Sequence, residues 1–210
     1  MKKLLVGIAL LLAFFCLGLF AASSFPPLVF INNLIEGFFT HIRSTAGVNL
    51  MLIVTKMGEP EFQTPLVGIF LIIFLLFRQW KYGLILPLAS WITSGMTSYT
   101  KNFYAVVRPI PTLDSVGGYS FPSGHTSSAA IVFLVIIIAL LSVIKNHFLR
   151  IASITICVVC IVVVGISRMY LNVHWFSDVV GGLLLSSGVL LVLLGIASIV
   201  EKKDTYKSVK

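Results

Sequence analysis

The chain has 210 residues, of which 58% are hydrophobic and only 10% charged, and its formal net charge is +8. A soluble domain carries roughly a quarter charged residues, so this composition excludes an ordinary soluble fold and indicates an integral membrane protein. The positive balance forms no long basic run and no basic face, which argues against a nucleic-acid partner and for membrane topology.

Hydropathy predicts an all-α, polytopic membrane protein with six transmembrane helices and an additional interfacial segment. The first span runs from about Leu4 to Ser23. Its basic start and trailing small residues mimic a secretory signal, but an apolar run of about 20 residues suits a retained span. Pro26-Pro27 then breaks the helix, and residues 24–63 form a longer extracytoplasmic segment. Within it, Phe30 to Arg43 is amphipathic, with Ile31, Leu34, Ile35, Phe38, Phe39 and Ile42 near helical spacing. Such a helix suits the membrane interface. Val48 to Met57 is apolar but too short to cross alone, and is expected to pack half-inserted.

The remaining spans are predicted at Thr64–Phe77, Tyr82–Lys101 (continuing toward Arg108), Ser127–Val143, Leu149–Ser167 and Phe176–Ile199. With no internal repeat, residues 1–210 read as a single domain. Cys16, Cys157 and Cys160 all lie in apolar stretches, and an odd count argues for packing rather than a disulfide framework.

Ten of the fifteen basic residues (Lys2, Lys3, Arg78, Lys81, Lys145, Arg150, Lys202, Lys203, Lys207, Lys210) fall on one side of the six spans. The positive-inside rule therefore predicts a multi-pass cell-membrane protein with both termini cytoplasmic. Three polar stretches, 101–109, 122–125 and 167–178, then share the extracytoplasmic face. The 41 residues from Thr126 to Ile166 suffice for two crossings and a turn, so the last two stretches meet in one leaflet.

Scarce ionisable groups beside membrane spans are costly and usually functional. Lys101 and Arg108 are seven residues apart. On one continuous helix they share a stripe about 10 Å apart and suit an anion, with Arg as the bidentate partner. Pro122-Ser123-Gly124-His125 precedes the fourth span. Ser123 suits a helix cap, and Gly124 admits a ligand close to free backbone N–H groups, an arrangement that binds phosphate. His125 is placed there as a proton donor or acceptor. In the third stretch, His174 and Asp178 are i,i+4 beside Arg168. A carboxylate that accepts one imidazole N–H leaves the other nitrogen free to attack. With no third carboxylate or clustered histidine nearby, no metal site is expected.

The combined pattern, K-x6-RP, then PSGH, then SR-x5-H-x3-D, resembles the type-2 phosphatidic acid phosphatase superfamily, membrane lipid-phosphate phosphatases related to vanadium haloperoxidases. Lys101…Arg108-Pro109, Pro122-Ser123-Gly124-His125 and Ser167-Arg168…His174…Asp178 match it at every spacing. The resemblance implies a role for each residue. His174 attacks phosphorus to form a phosphohistidine, Asp178 orients it, and His125 protonates the leaving oxygen and then helps activate water. Lys101, Arg108, Ser123, Gly124 and Arg168 bind the phosphoryl oxygens, with no metal or cofactor.

The implied substrate is a lipid phosphate in the bilayer, with no obligate protein partner. Candidates are phosphatidylglycerol phosphate, slightly favoured, and undecaprenyl diphosphate, phosphatidic acid and diacylglycerol pyrophosphate. Two alternatives are a lipid phosphotransferase and a non-enzymatic carrier of anionic lipids. The carrier explains the cations but not His125 or the His174–Asp178 pair.

Overall fold

Prolines and small polar caps punctuate the chain. In the computed structural model, which describes the backbone of residues 1–208 and side chains through Glu201, they divide it into eight α-helices and one short 3-10 turn. The helices are α1 (Lys2–Ala22), α2 (Pro26–Ile42), α3 (Thr45–Thr55), α4 (Pro60–Leu76), α5 (Trp80–Tyr104), α6 (Gly124–Val143), α7 (His147–Tyr170) and α8 (Phe176–Ser208). The 3-10 turn, Lys56–Gly58, joins α3 to α4. No strand occurs among the described residues. Proline opens α2 and α4, where its missing N–H is not needed. Ser44, Ser123 and Asn146 cap α3, α6 and α7 through side-chain oxygens that accept backbone N–H groups.

α6 is the central helix, burying Ala129, Ala130, Ile131, Val132, Val135 and Ile136 against its neighbours. α1 runs antiparallel to α8 at close range. A Cβ on Gly7 would stand 2.7 Å from the Val192 nitrogen, and one on Gly195 would stand 2.8 Å from the Leu4 Cβ. Small residues let helix backbones approach in this way when lipid supplies no hydrophobic drive. At the far end from the polar stretches, Lys81 pairs with Glu201 at 2.9 Å.

Among the described residues, four helices are long and apolar enough to cross a membrane: α1, α6, α7 and α8 over Phe176–Glu201. The α3 unit and α4, bent by 44° at their junction, make a fifth candidate as one broken span. The predicted second span therefore belongs to a bent pair. α5 has the length to cross, 25 residues, but is not among the strongly apolar helices. Serines and threonines on one of its faces dilute an apolar row of Leu84, Leu88, Trp91 and Tyr99, which is exposed. The sequence predicts six spans; among the described residues four helices, or five with the bent pair counted as one span, are long and apolar enough to cross, and α5 is not one of them.

α5 also stops short of the continuation toward Arg108. It ends at Tyr104, where Ala105 takes a left-handed conformation (φ 51°) and donates its N–H to the Lys101 carbonyl. Arg108 precedes a proline and is biased away from helix. Lys101 and Arg108 therefore do not share a helical stripe.

Residues 24–63 pack on the bundle as well as lining its edge. α2 exposes Phe30, Ile31, Leu34, Phe38 and Ile42, as an interfacial helix does. Its buried Asn32 makes two hydrogen bonds with Ser177 at the start of α8, at 3.0 and 3.1 Å. α3 lies on α7, where the Tyr170 hydroxyl accepts the Ser44 N–H at 2.9 Å.

Candidate active site

The end of α5, the start of α6, the end of α7 and the start of α8 meet with the 105–123 loop folded over them. Hydrogen bonds tie that loop to the turn before α8. Leu113 N–H donates to the Leu171 carbonyl at 2.9 Å, and the Asn172 amide donates to the Pro111 carbonyl at 2.9 Å. This fold-back, rather than helical spacing, joins the two cations of the first stretch. Lys101 Nζ and Arg108 Nη2 both donate to the Tyr119 carbonyl, at 2.8 and 3.2 Å.

His174 lies in the turn between α7 and α8, almost fully buried. Its Nδ1 is 3.1 Å from Asp178 Oδ2, and its Nε2 is 3.2 Å from Arg108 Nη1. A guanidinium nitrogen can only donate, so Nε2 must be the acceptor. The proton therefore sits on Nδ1 and is donated to Asp178, an assignment made from the network. The same Oδ2 accepts the Trp175 N–H at 2.8 Å, so Asp178 also holds the first turn of α8. Burial first, then the positive charges of Lys101, Arg168 and Arg108, hold His174 well below the ordinary imidazole range. The result is a neutral imidazole with one lone pair directed among cations.

Arg168, on the last turn of α7, is completely buried. Its Nη1 donates to Asp114 Oδ2 at 3.1 Å and to the Thr55 hydroxyl. Nε and Nη2 have no partner. A buried donor without an acceptor is costly, so a guanidinium held this way is suited to an anion such as a phosphoryl group. Ser123 accepts the Thr126 N–H and hydroxyl as the cap of α6, and its own N–H donates to the Asp178 carbonyl at 3.0 Å. Gly124 and His125 follow on the first turn and, with Lys101, border a groove between α5 and α6.

All eight residues singled out in the sequence thus lie around one site. The structure adds others. Thr55 and Asp114 hold Arg168, although they are 113 and 54 residues from it in the chain. Gly58 lies against His125, since a Cβ there would stand 2.7 Å from that of the histidine. No local spacing relates these residues to the motifs, so pattern alone gave no signal for them. Among the described residues, no group of three or more His, Cys, Asp or Glu side chains is placed to hold a metal ion.

An all-helical membrane architecture and this arrangement of residues define a class, and comparison confirms it: the chain belongs to the PAP2 superfamily, whose model matches residues 66–199. The resemblance carried by the three motifs is therefore correct at the family level. The chain is 35% identical to phosphatidylglycerophosphatase B of Bacillus subtilis (strain 168) over 148 residues, covering 67% of this chain and 70% of that protein. It is similar to the crystal structure of the transmembrane PAP2 type phosphatidylglycerolphosphate phosphatase from Bacillus subtilis. That match has a TM-score of 0.78 and 31% identity, over 96% of this chain and 98% of the other. Aquifex aeolicus LpxE shares the fold, with a TM-score of 0.64 and 22% identity over 78% of this chain and 94% of that one.

Proposed function

We propose that this protein is an integral membrane lipid phosphatase that acts through a phosphohistidine, and that phosphatidylglycerol phosphate is its favoured substrate. The observation that carries the proposal is the placement of His174 between Asp178 and Arg108, which assigns its tautomer. Nδ1–H is committed to Asp178, while the Nε2 lone pair faces Arg108. A phosphoryl group seated on Arg108, Lys101 and the two free nitrogens of Arg168 brings phosphorus to that lone pair. Nε2 attacks, the P–O bond to the leaving alcohol breaks, and His125 donates a proton to the departing oxygen. Water then attacks the phosphoramidate while His125 takes its proton. The P–N bond breaks and inorganic phosphate leaves.

The cations supply the charge stabilisation that a metal gives in other phosphoryl transfers, and the start of α6 adds backbone N–H groups near Ser123 and Gly124. The substrate preference rests on the Bacillus subtilis relatives. The distribution of basic residues supports an extracytoplasmic active site with cytoplasmic termini.

The test is phosphate release from purified protein over phosphatidylglycerol phosphate, phosphatidic acid, diacylglycerol pyrophosphate and undecaprenyl diphosphate, with and without chelator. Chelator-insensitive release is expected, fastest on phosphatidylglycerol phosphate, with a loss of at least about a thousandfold in His174→Ala. Undiminished release by His174→Ala would remove the nucleophile from this account.

A further inference from the structure

α5 presents an unusual face to the interior of the bundle. Ser90, Thr93, Ser94, Thr97, Ser98 and Lys101 recur at helical spacing, so they form one row. The row covers about 16 Å along the axis. It borders a groove of about 300 Å³ that also meets Gly124 and His125. Ser94 and Ser98 are exposed, so the groove opens sideways from the bundle, whereas Thr93 and Thr97 are 1% and 6% exposed.

Hydroxyls within membrane helices ordinarily return to the carbonyl one turn earlier. This chain does so repeatedly. Thr100 donates to Met96, Ser127 to Ser123, Ser153 to Leu149, Ser186 to Gly182 and Ser198 to Leu194, all between 2.6 and 2.9 Å. The Ser90, Thr93 and Thr97 hydroxyls do not, and they have no other partner. These three exceptions on one face line the groove that begins at Lys101 and His125. An unpaired buried hydroxyl is costly, and the row also makes α5 less apolar than a plain span. Both costs are offset if a ligand with oxygens at successive positions lies along the row.

We propose that Ser90, Thr93 and Thr97 form a leaving-group subsite that hydrogen-bonds the oxygens of a glycerol-based linker, so that the enzyme takes glycerolipid phosphates in preference to polyprenyl phosphates. The inference rests on the phosphatase reading above and deepens it. His125 at the head of the groove marks the side from which the leaving oxygen departs. In phosphatidylglycerol phosphate the scissile bond leads into a chain of oxygens, namely glycerol hydroxyl, phosphodiester and acyl ester, and in phosphatidic acid it leads directly to the acyl esters. These can pair with the row one after another. In a polyprenyl phosphate, hydrocarbon follows the scissile oxygen at once, and each hydroxyl along the row is covered without a partner. A site built to hydrogen-bond its substrate discriminates strongly against an analogue that lacks those groups.

The experiment measures kcat/KM on phosphatidylglycerol phosphate and on a long-chain polyprenyl monophosphate, in the same detergent, for the full chain and its variants. Thr93→Val and Thr97→Val, singly and together, remove each hydroxyl at nearly constant volume, and Thr→Ser at the same positions restores it. The wild type should favour the glycerolipid. The ratio of the two kcat/KM values should fall by roughly tenfold in the double valine variant and recover in the serine variants. Because both substrates are read on the same preparation, the ratio does not depend on how much protein folds. An unchanged ratio in the valine variants overturns the subsite, as does a wild type with no preference, and either would leave the row as a water-lined path. A wild type that releases phosphate from neither lipid strikes the phosphatase reading instead.

Discussion

His174 acts in the proposed reaction only as the neutral imidazole, so its surroundings set the acid side of the activity profile. The groups that face it are Lys101 from α5, Arg108 from the folded loop, His125 from α6, Arg168 from α7 and Asp178 from α8. Burial and the cations outweigh the carboxylate and lower its protonation below the ordinary imidazole range. The sign is direct: a depressed value keeps the nucleophile unprotonated as pH falls through 6.5. In the wild type, the acid limb of kcat/KM assigned to His174 should therefore have its midpoint below that pH. Arg108→Gln removes one of the opposing charges. It should lower kcat/KM at every pH and also move that midpoint upward. A midpoint that stays in place in Arg108→Gln means that His174 does not set the limb. The partners of Arg168 act one step further out. Thr55 and Asp114 occupy Nη1 and leave Nε and Nη2 as the unpaired face.

At the scale of elements, the candidate site residues are carried at or beside helix ends, which explains why so much of the candidate site was legible in the sequence. His125 is one residue inside the start of α6, Arg168 lies in the last turn of α7 and Asp178 in the first turn of α8. Fixed motif spacings therefore translate into fixed positions at one end of a bundle. The Lys101–Arg108 relation was not legible, because α5 stops at an alanine in the left-handed region, where a glycine or asparagine would have announced the turn. Nor was the part played by residues 24–63. Read as an interfacial strip, they also bring Thr55 to Arg168, Asn32 to Ser177 and Gly58 to His125. Each is a lone polar or small residue whose partner lies far away in the chain.

Gly58 provides the test at this scale. A Cβ at that position meets the His125 Cβ at 2.7 Å and its Cα and carbonyl oxygen at 3.0 Å, so the 3-10 turn or α6 has to yield. Displacement of a proton donor by a fraction of an ångström to about 1 Å costs up to about 10²-fold. Gly58→Ala should slow phosphate release from an alkyl lipid phosphate by roughly tenfold or more. It should slow release from an activated aryl phosphate much less, because that leaving group needs no proton. Equal losses on the two substrates would contradict the placement of His125 on the leaving oxygen.

For the whole molecule, the polar site at one end of the bundle and the lysine-rich opposite end make orientation a physical prediction. The positive-inside rule predicts the 105–123 loop outside the cell and both termini within. A reporter active only in the extracytoplasmic space, inserted near Leu113, should be active, and a cytoplasmic signal there would invert the molecule. Depth in the membrane also bears on substrate choice. The hydroxyl row on α5 starts beside the cations and leads away along the helix, so under the proposed function the scissile phosphate sits at the polar end and the rest of the lipid lies along the side. The most direct test of the central claim is to trap the covalent intermediate. Purified protein is mixed briefly with a lipid substrate labelled in its terminal phosphate, quenched in alkaline detergent and digested. The account predicts an acid-labile, base-stable phosphoryl label on the peptide containing His174, and none in His174→Ala. Label on another residue, or full turnover with no label on His174, would contradict it.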